Sequence, residues 1–102
     1  MTPLYKLAHA RAGDKGEHTT ISIFAYDDQD YPILVEQLTT QAVSTFFADL
    51  HVQDVERYTL PNLSCIHFVL YGTRPGGVSS ALTFDAHGKS LSWRMLDFEL
   101  KN

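Results

Sequence analysis

Short extended patterns at both ends of the chain bracket one longer helical pattern. Tyr5, Leu7 and His9 alternate with Lys6, Ala8 and Ala10, a period of two that predicts a first strand to about Arg11. Arg11 to His18 then carries two glycines, four charges and almost no apolar side chain, which predicts a loop. Thr19 to Tyr26 is β-branched and aromatic, with Ile21 and Ile23 on one face, and predicts a second strand. Asp27, Asp28 and Asp30 supply a turn and a helix cap, and Pro32 suits a first helical position because its missing N–H has no partner to lose there. Ile33, Leu34 and Leu38, then Ala42, Val43, Phe46, Phe47 and Leu50, follow helical spacing on either side of Thr39 and Thr40. One bent helix or two short ones is the expectation.

Val52, Val55, Tyr58 and Leu60 mark a third strand that Pro61 and Asn62 end. Leu63 to Tyr71 is apolar with little alternation, the pattern of a strand buried on both faces. Gly72 to Gly77 reads as a loop, Val78 to Ala81 as a short helical turn, Leu82 to Phe84 as extended, and Asp85 to Gly88 as a turn. Leu91, Trp93 and Met95 alternate, and Leu96, Phe98 and Leu100 alternate one place out of phase. That slip predicts a strand with a bulge near Met95, in preference to a short helix. The sum is an α+β chain, with a mostly antiparallel sheet carrying helices on one face.

Length and charge narrow the possibilities. A chain of 102 residues allows one domain, 1–102, and its size permits a core without disulfides or a structural metal. The net charge of −4 with scattered basic residues argues against a nucleic-acid partner. The longest nearly uncharged stretches, Leu38 to Ala48 and Leu60 to Thr73, are too short to cross a bilayer. No basic start and apolar run mark a leader, so a cytoplasmic location is the expectation. Cys65 is the only cysteine and sits in an apolar run, which reads as a buried structural thiol.

The glycine-flanked segment from Arg11 to His18 holds the ingredients of an anion site. Arg11 and Lys15 bring positive charge, and Gly13 and Gly16 let the backbone present N–H groups. It is not a P-loop, because its lysine lies between the glycines. An exposed hairpin-like loop in which Asp14 pairs with Lys15 or Arg11 fits the same composition. His9 and His18 flank the segment and are candidates for proton transfer, with Asp14 able to orient either; surface or packing roles are the plainer alternative. Arg74 with Gly76 and Gly77 forms a second candidate anion loop or an ordinary turn. His51, His67 and His87 read as a helix end, a strand position and a turn. No metal-ligand spacing, calcium loop or GxSxG motif occurs, and no metal or cofactor is expected.

Taken together, Leu7-Ala-His-Ala-Arg-Ala-Gly-Asp-Lys-Gly16, Val55 to Leu63 with its Pro61-Asn62-Leu63, His67 to Leu70, Asp85 to Lys89 and Leu96 to Leu100 resemble the AtuA-like ferredoxin-fold domain over nearly the whole chain. The usual continuation of the signature with two asparagines is replaced here by Glu17-His-Thr-Thr20. The resemblance implies a ferredoxin-like sandwich and a small stand-alone form of a domain otherwise found at the C-terminus of acyclic terpene utilisation proteins. It implies ligand-contacting roles at Arg11, Gly13, Asp14, Lys15, Gly16, Asn62, Gly76 and Gly77. It also implies a link to the catabolism of branched or terpenoid acids or their acyl-CoA esters, without a particular reaction. Three functions follow as expectations. One is an accessory subunit docked on a large AtuA-type protein, with the Arg11–His18 loop completing an acyl-CoA or carboxylate site. Another is a homo-oligomeric small-acid binder or enzyme with that loop between subunits. The last is a structural interaction module without a ligand.

Overall fold

The computed structural model describes residues 1–15, 18–72 and 88–101. Strand β1 (Thr2–Pro3) and a 3-10 turn (Leu4–Lys6) lead into a hairpin of β2 (Ala8–Lys15) and β3 (His18–Ala25). Two short helices, α1 (Tyr31–Gln37) and α2 (Thr40–Phe46), connect it to a second hairpin of β4 (Asp54–Leu60) and β5 (Cys65–Tyr71). Helix α3 (Gly88–Leu96) and strand β6 (Glu99–Leu100) follow.

The large sheet is antiparallel throughout, in the order β2-β3-β5-β4. Because β3 and β4 both run antiparallel to β5, they are parallel to each other with β5 between them, the split β-α-β arrangement of ferredoxin-like folds. Strands β1 and β6 pair separately and bring the two ends of the chain together.

The helices form as the capping chemistry requires. Asp27 accepts a hydrogen bond from the Gln29 N–H at 2.9 Å, a 3-10 turn (Asp28–Asp30) follows, and Pro32 sits in the first turn of α1. Leu38 leaves the helical region and Thr39 is extended, so the helical stretch breaks in two. Thr39 then caps α2 by accepting from the Ala42 N–H at 3.0 Å. Leu34 and Leu38, and then Val43 and Phe47, recur at four-residue intervals and are fully buried. They meet Ile21, Ile23, Ile66, Phe68 and Leu70 from the sheet, with Leu91 and Met95 of α3 and the flanking Leu4 and Leu100. All of this core lies on one side of the sheet.

Four expectations are corrected. Arg11 to Lys15 is strand, not loop: Arg11 pairs with Ser22, Gly13 with Thr20 and Lys15 with His18. The alternating alanines beneath it explain this, since Ala8 is buried and Ala10 partly so, and such small side chains let α3 pack against β2. The first strand does not begin at Tyr5, because Leu4–Lys6 is a 3-10 turn. Strand β5 is not buried on both faces: Ile66, Phe68 and Leu70 are buried, whereas His67, Val69 and Tyr71 are half-buried. The segment after Gly88 is a helix and not a bulged strand. Leu91 and Met95 share its buried side at helical spacing, and Trp93, which a strand would set beside them, is 65% exposed. This helix packs into the same core as α1 and α2 and adds to their layer; the expected helical turn Val78 to Ala81 lies outside the described residues.

Cys65 is buried as expected, and burial pushes its thiol up from the ordinary value. Among the described residues no helix is long and apolar enough to cross a membrane.

Candidate functional site on the open face of the sheet

Residues that alternate with the core positions form the opposite face of the four-stranded sheet. The registers set them in rows. Arg11, Ser22, His67 and Tyr58 form one row across β2, β3, β5 and β4, and Gly13, Thr20, Val69 and Glu56 form the next. Lys15, His18, Tyr71 and Asp54 occupy the row at one end, and His9, Phe24, Cys65 and Leu60 that at the other.

The side chains on these rows are linked. Ser22 Oγ and His67 Nδ1 are hydrogen-bonded at 2.7 Å, and the His67 ring lies beside that of Tyr58, with centroids 6.4 Å apart. The Tyr58 and Tyr71 hydroxyls both donate to Glu56 Oε1, each at 2.8 Å. The Tyr71 bond first, then that of Tyr58, with a lesser contribution from the charge of His18, holds the Glu56 carboxyl below its ordinary range. The same bonds raise both tyrosines above theirs. His18 meets Tyr71 edge-on at 4.4 Å, and its Nδ1 is buried without a hydrogen-bond partner among the described residues. At the far end His9 stacks on Phe24 at 5.0 Å and lies 5.5 Å from Tyr26.

The anion-site candidates from the sequence fall in three places. Arg11 and Gly13 lie on the open face, both exposed, and a Cβ at Gly13 would come within 3.2 Å of Thr20 Oγ1. Asp14 and Lys15 are the last residues of β2. Gly16, Arg74, Gly76 and Gly77 lie outside the described residues. Asn62 is in the 3-10 turn Pro61–Leu63, next to the Leu60–Cys65 end of the sheet and remote from the Lys15–His18 end. His9 and His18 sit at opposite ends of the hairpin, and the register position of Asp14 is next to that of His18.

Ser22, Glu56, Tyr58, His67 and Tyr71 are not among the candidates that sequence reasoning selects. Their signal is the alternation itself, in which every second residue of β3, β4 and β5 carries a hydroxyl, imidazole, carboxyl or other non-core group opposite the core positions. What the arrangement offers chemically is an exposed guanidinium at one side, a hydroxyl–imidazole pair at the centre, and an ionised carboxylate fixed by two phenols at the other side. Such a face can recognise an anion at Arg11 and a hydrogen-bond donor or cation at Glu56. Among the described residues no cluster of His, Cys, Asp or Glu is arranged to hold a metal ion.

A search of curated proteins and of solved structures found no match to the chain. The model of the AtuA ferredoxin-like domain family matches residues 2–101. That span takes in the Arg-Ala-Gly-Asp-Lys-Gly signature that begins on β2, both hairpins with the helical crossover between them, and the α3–β6 ending. The antiparallel α+β fold agrees with it, and the chain belongs to the AtuA ferredoxin-like domain family.

Proposed function

We propose that this chain is a docking module for a larger AtuA-type protein acting on branched or terpenoid acids or their acyl-CoA esters. In this reading the open face of the sheet is covered by that protein, and the β2–β3 hairpin supplies Arg11, Gly13, Asp14, Lys15 and Gly16 to a carboxylate or acyl-CoA site at the junction. The observation that carries it is the composition of the sheet face that no described helix covers. Arg11 and Tyr58 are exposed and Glu56 is half-buried, while Leu60, Leu63 and Tyr26 leave apolar surface exposed along the Cys65 end of the sheet. A face of this kind, apolar in part and carrying preorganised charge, is the anatomy of a polar-rimmed interface.

The test mixes the purified chain with the purified AtuA-type protein of the same organism and follows the mass of the species formed by light scattering during gel filtration. The expected result is a complex of fixed ratio that Arg11→Glu weakens by about tenfold or more, the scale of removing one charge-assisted hydrogen bond and introducing one repulsion. A chain that elutes unchanged from the mixture at high micromolar concentration overturns the reading. The Ser22–His67 pair beside Arg11 favours a second reading, a self-contained binder of small acids. Titrating the chain alone with a short branched carboxylate, and following the His67 ring signals by NMR, tests it.

A further inference from the structure

Strand β4 ends the sheet, and its outer side has no neighbouring strand among the described residues. The edge is seven residues long, contains no proline, and borders an open groove of about 500 Å³ lined by Thr39, Thr40, Val55, Glu56, Arg57 and Tyr58. The Val55 N–H donates to the Asp54 carboxylate at 2.9 Å. The bond from the Ala25 N–H to the Ser64 carbonyl sets the alternation of hydrogen-bonded pairs through β3, β5 and β4, so that the Val55 amide faces away from β5. In an antiparallel ladder these alternate, so the N–H groups of Arg57 and Thr59 face the same outer side. Unpaired backbone in an extended edge is a template for another strand.

The two sides of this edge differ in chemistry. Toward the open face stand Glu56 and Tyr58; Glu56 Oε1 takes both tyrosine hydroxyls, which leaves Oε2 to accept from a further group. Toward the helices, Arg57 is turned under the edge, its Nη1 donating to the carbonyls of Val35 at 2.8 Å and Leu38 at 3.0 Å. The fully overlapped two-fold pairing of β4 with a second copy is centred on Arg57 and sets that residue against itself, an unfavourable like-charge juxtaposition. The edge therefore fits a different chain, one that brings a positive charge to Glu56.

We propose that an extended segment of the AtuA-type partner adds to the outer edge of β4 as a fifth strand, with a lysine or arginine of that segment on Glu56. This rests on the docking reading above and specifies where and how the partner is held. The backbone supplies most of the affinity, and the Glu56 contact sets the register.

The experiment uses the full chain with the purified AtuA-type protein. Amide exchange at Arg57 and Thr59 is measured in the free chain and in the complex, and binding is measured for Thr59→Pro and Glu56→Gln. Thr59→Pro removes an outward N–H while leaving the β4–β5 ladder its own bonds. The expected results are slowing of both amides by about tenfold or more on complex formation, and affinity reductions of at least about tenfold for Thr59→Pro and about threefold to tenfold for Glu56→Gln. If Thr59→Pro fails to fold, as circular dichroism would show, the amide exchange and Glu56→Gln decide. A complex that leaves both amides unprotected and tolerates Glu56→Gln overturns this proposal alone. Concentration-dependent protection in the free chain overturns it in favour of a second copy. Absence of any complex overturns the docking reading and this proposal together.

Discussion

Glu56 shows how one residue acquires a role that its type does not announce. Its place in β4 sets it between Tyr58 on its own strand and Tyr71 on β5, and both phenols donate to the same carboxylate oxygen. The carboxyl is held below its ordinary value of 4.5 and the two tyrosines above their ordinary 10.0. The signs fix the pH dependence. A depressed carboxyl stabilises the fold above its unfolded value, and that contribution is lost as pH falls through the lower, folded value; a raised phenol contributes below pH 10.0 and loses that as pH rises through its folded value. Unfolding by urea across pH is expected to show a contribution lost below about pH 4 and again above about pH 10, the first absent and the second reduced in Glu56→Gln. Equal pH profiles for the two proteins would remove this account. Arg57, the next residue, faces the other way and serves a structural end. Its guanidinium closes carbonyls that the end of α1 leaves without intrahelical partners.

At the scale of elements, caps decide where helices start and packing decides whether ambiguous segments become helix or strand. An interruption at Thr39 and Thr40 is legible as a bend or a break in the apolar spacing, and the structure makes it a break because Thr39 is extended and caps α2. Thr39→Ala is expected to lower stability by about 1 kcal/mol, read as a lower urea midpoint with an unchanged slope. No change in midpoint would mean that Thr39 does not hold α2. Helix α3 was not legible. Leu91, Trp93 and Met95 satisfy a period of two, while Leu91 and Met95 also satisfy a helical interval of four. Only packing on β2 and the Leu4 turn chooses between them, burying Leu91 and Met95 and leaving Trp93 outside. Arg94 on α3 then reaches Asp49 with two hydrogen bonds, at 2.9 and 3.1 Å, and lies 5.2 Å over the Phe47 ring, tying α3 to the α2 side of the core.

For the whole molecule, the distinctive feature is how the termini are joined. Strand β1 pairs with β6, the Leu4 N–H donates to the Phe98 carbonyl at 2.8 Å, and Gln37 brackets Lys101 with two hydrogen bonds, donating to its carbonyl and accepting from its N–H. Leu100 is buried inside this junction. Leu100→Ala is expected to lower stability by about 2–5 kcal/mol, the range for emptying a buried leucine site, and to expose both chain ends to limited proteolysis at once. Cleavage at one end only would show that the termini are not held as a unit.

By itself the sequence determined the α+β class, the β3 strand, a capped helical crossover either bent or divided, the buried Cys65, and the signature that marks the family. Each of these depends on interactions within a few residues or on an apolar period with a single reading. The strand state of Arg11 to Lys15 and the helix at Gly88–Leu96 were decided by tertiary structure, because each segment satisfies two local patterns and is settled by what packs against it. So was the open-face cluster. Arg11, Ser22, His67 and Tyr58 are far apart in sequence and become neighbours only through the register of four strands, which depends on burying Ile21, Ile23, Ile66, Phe68 and Leu70 on the other side.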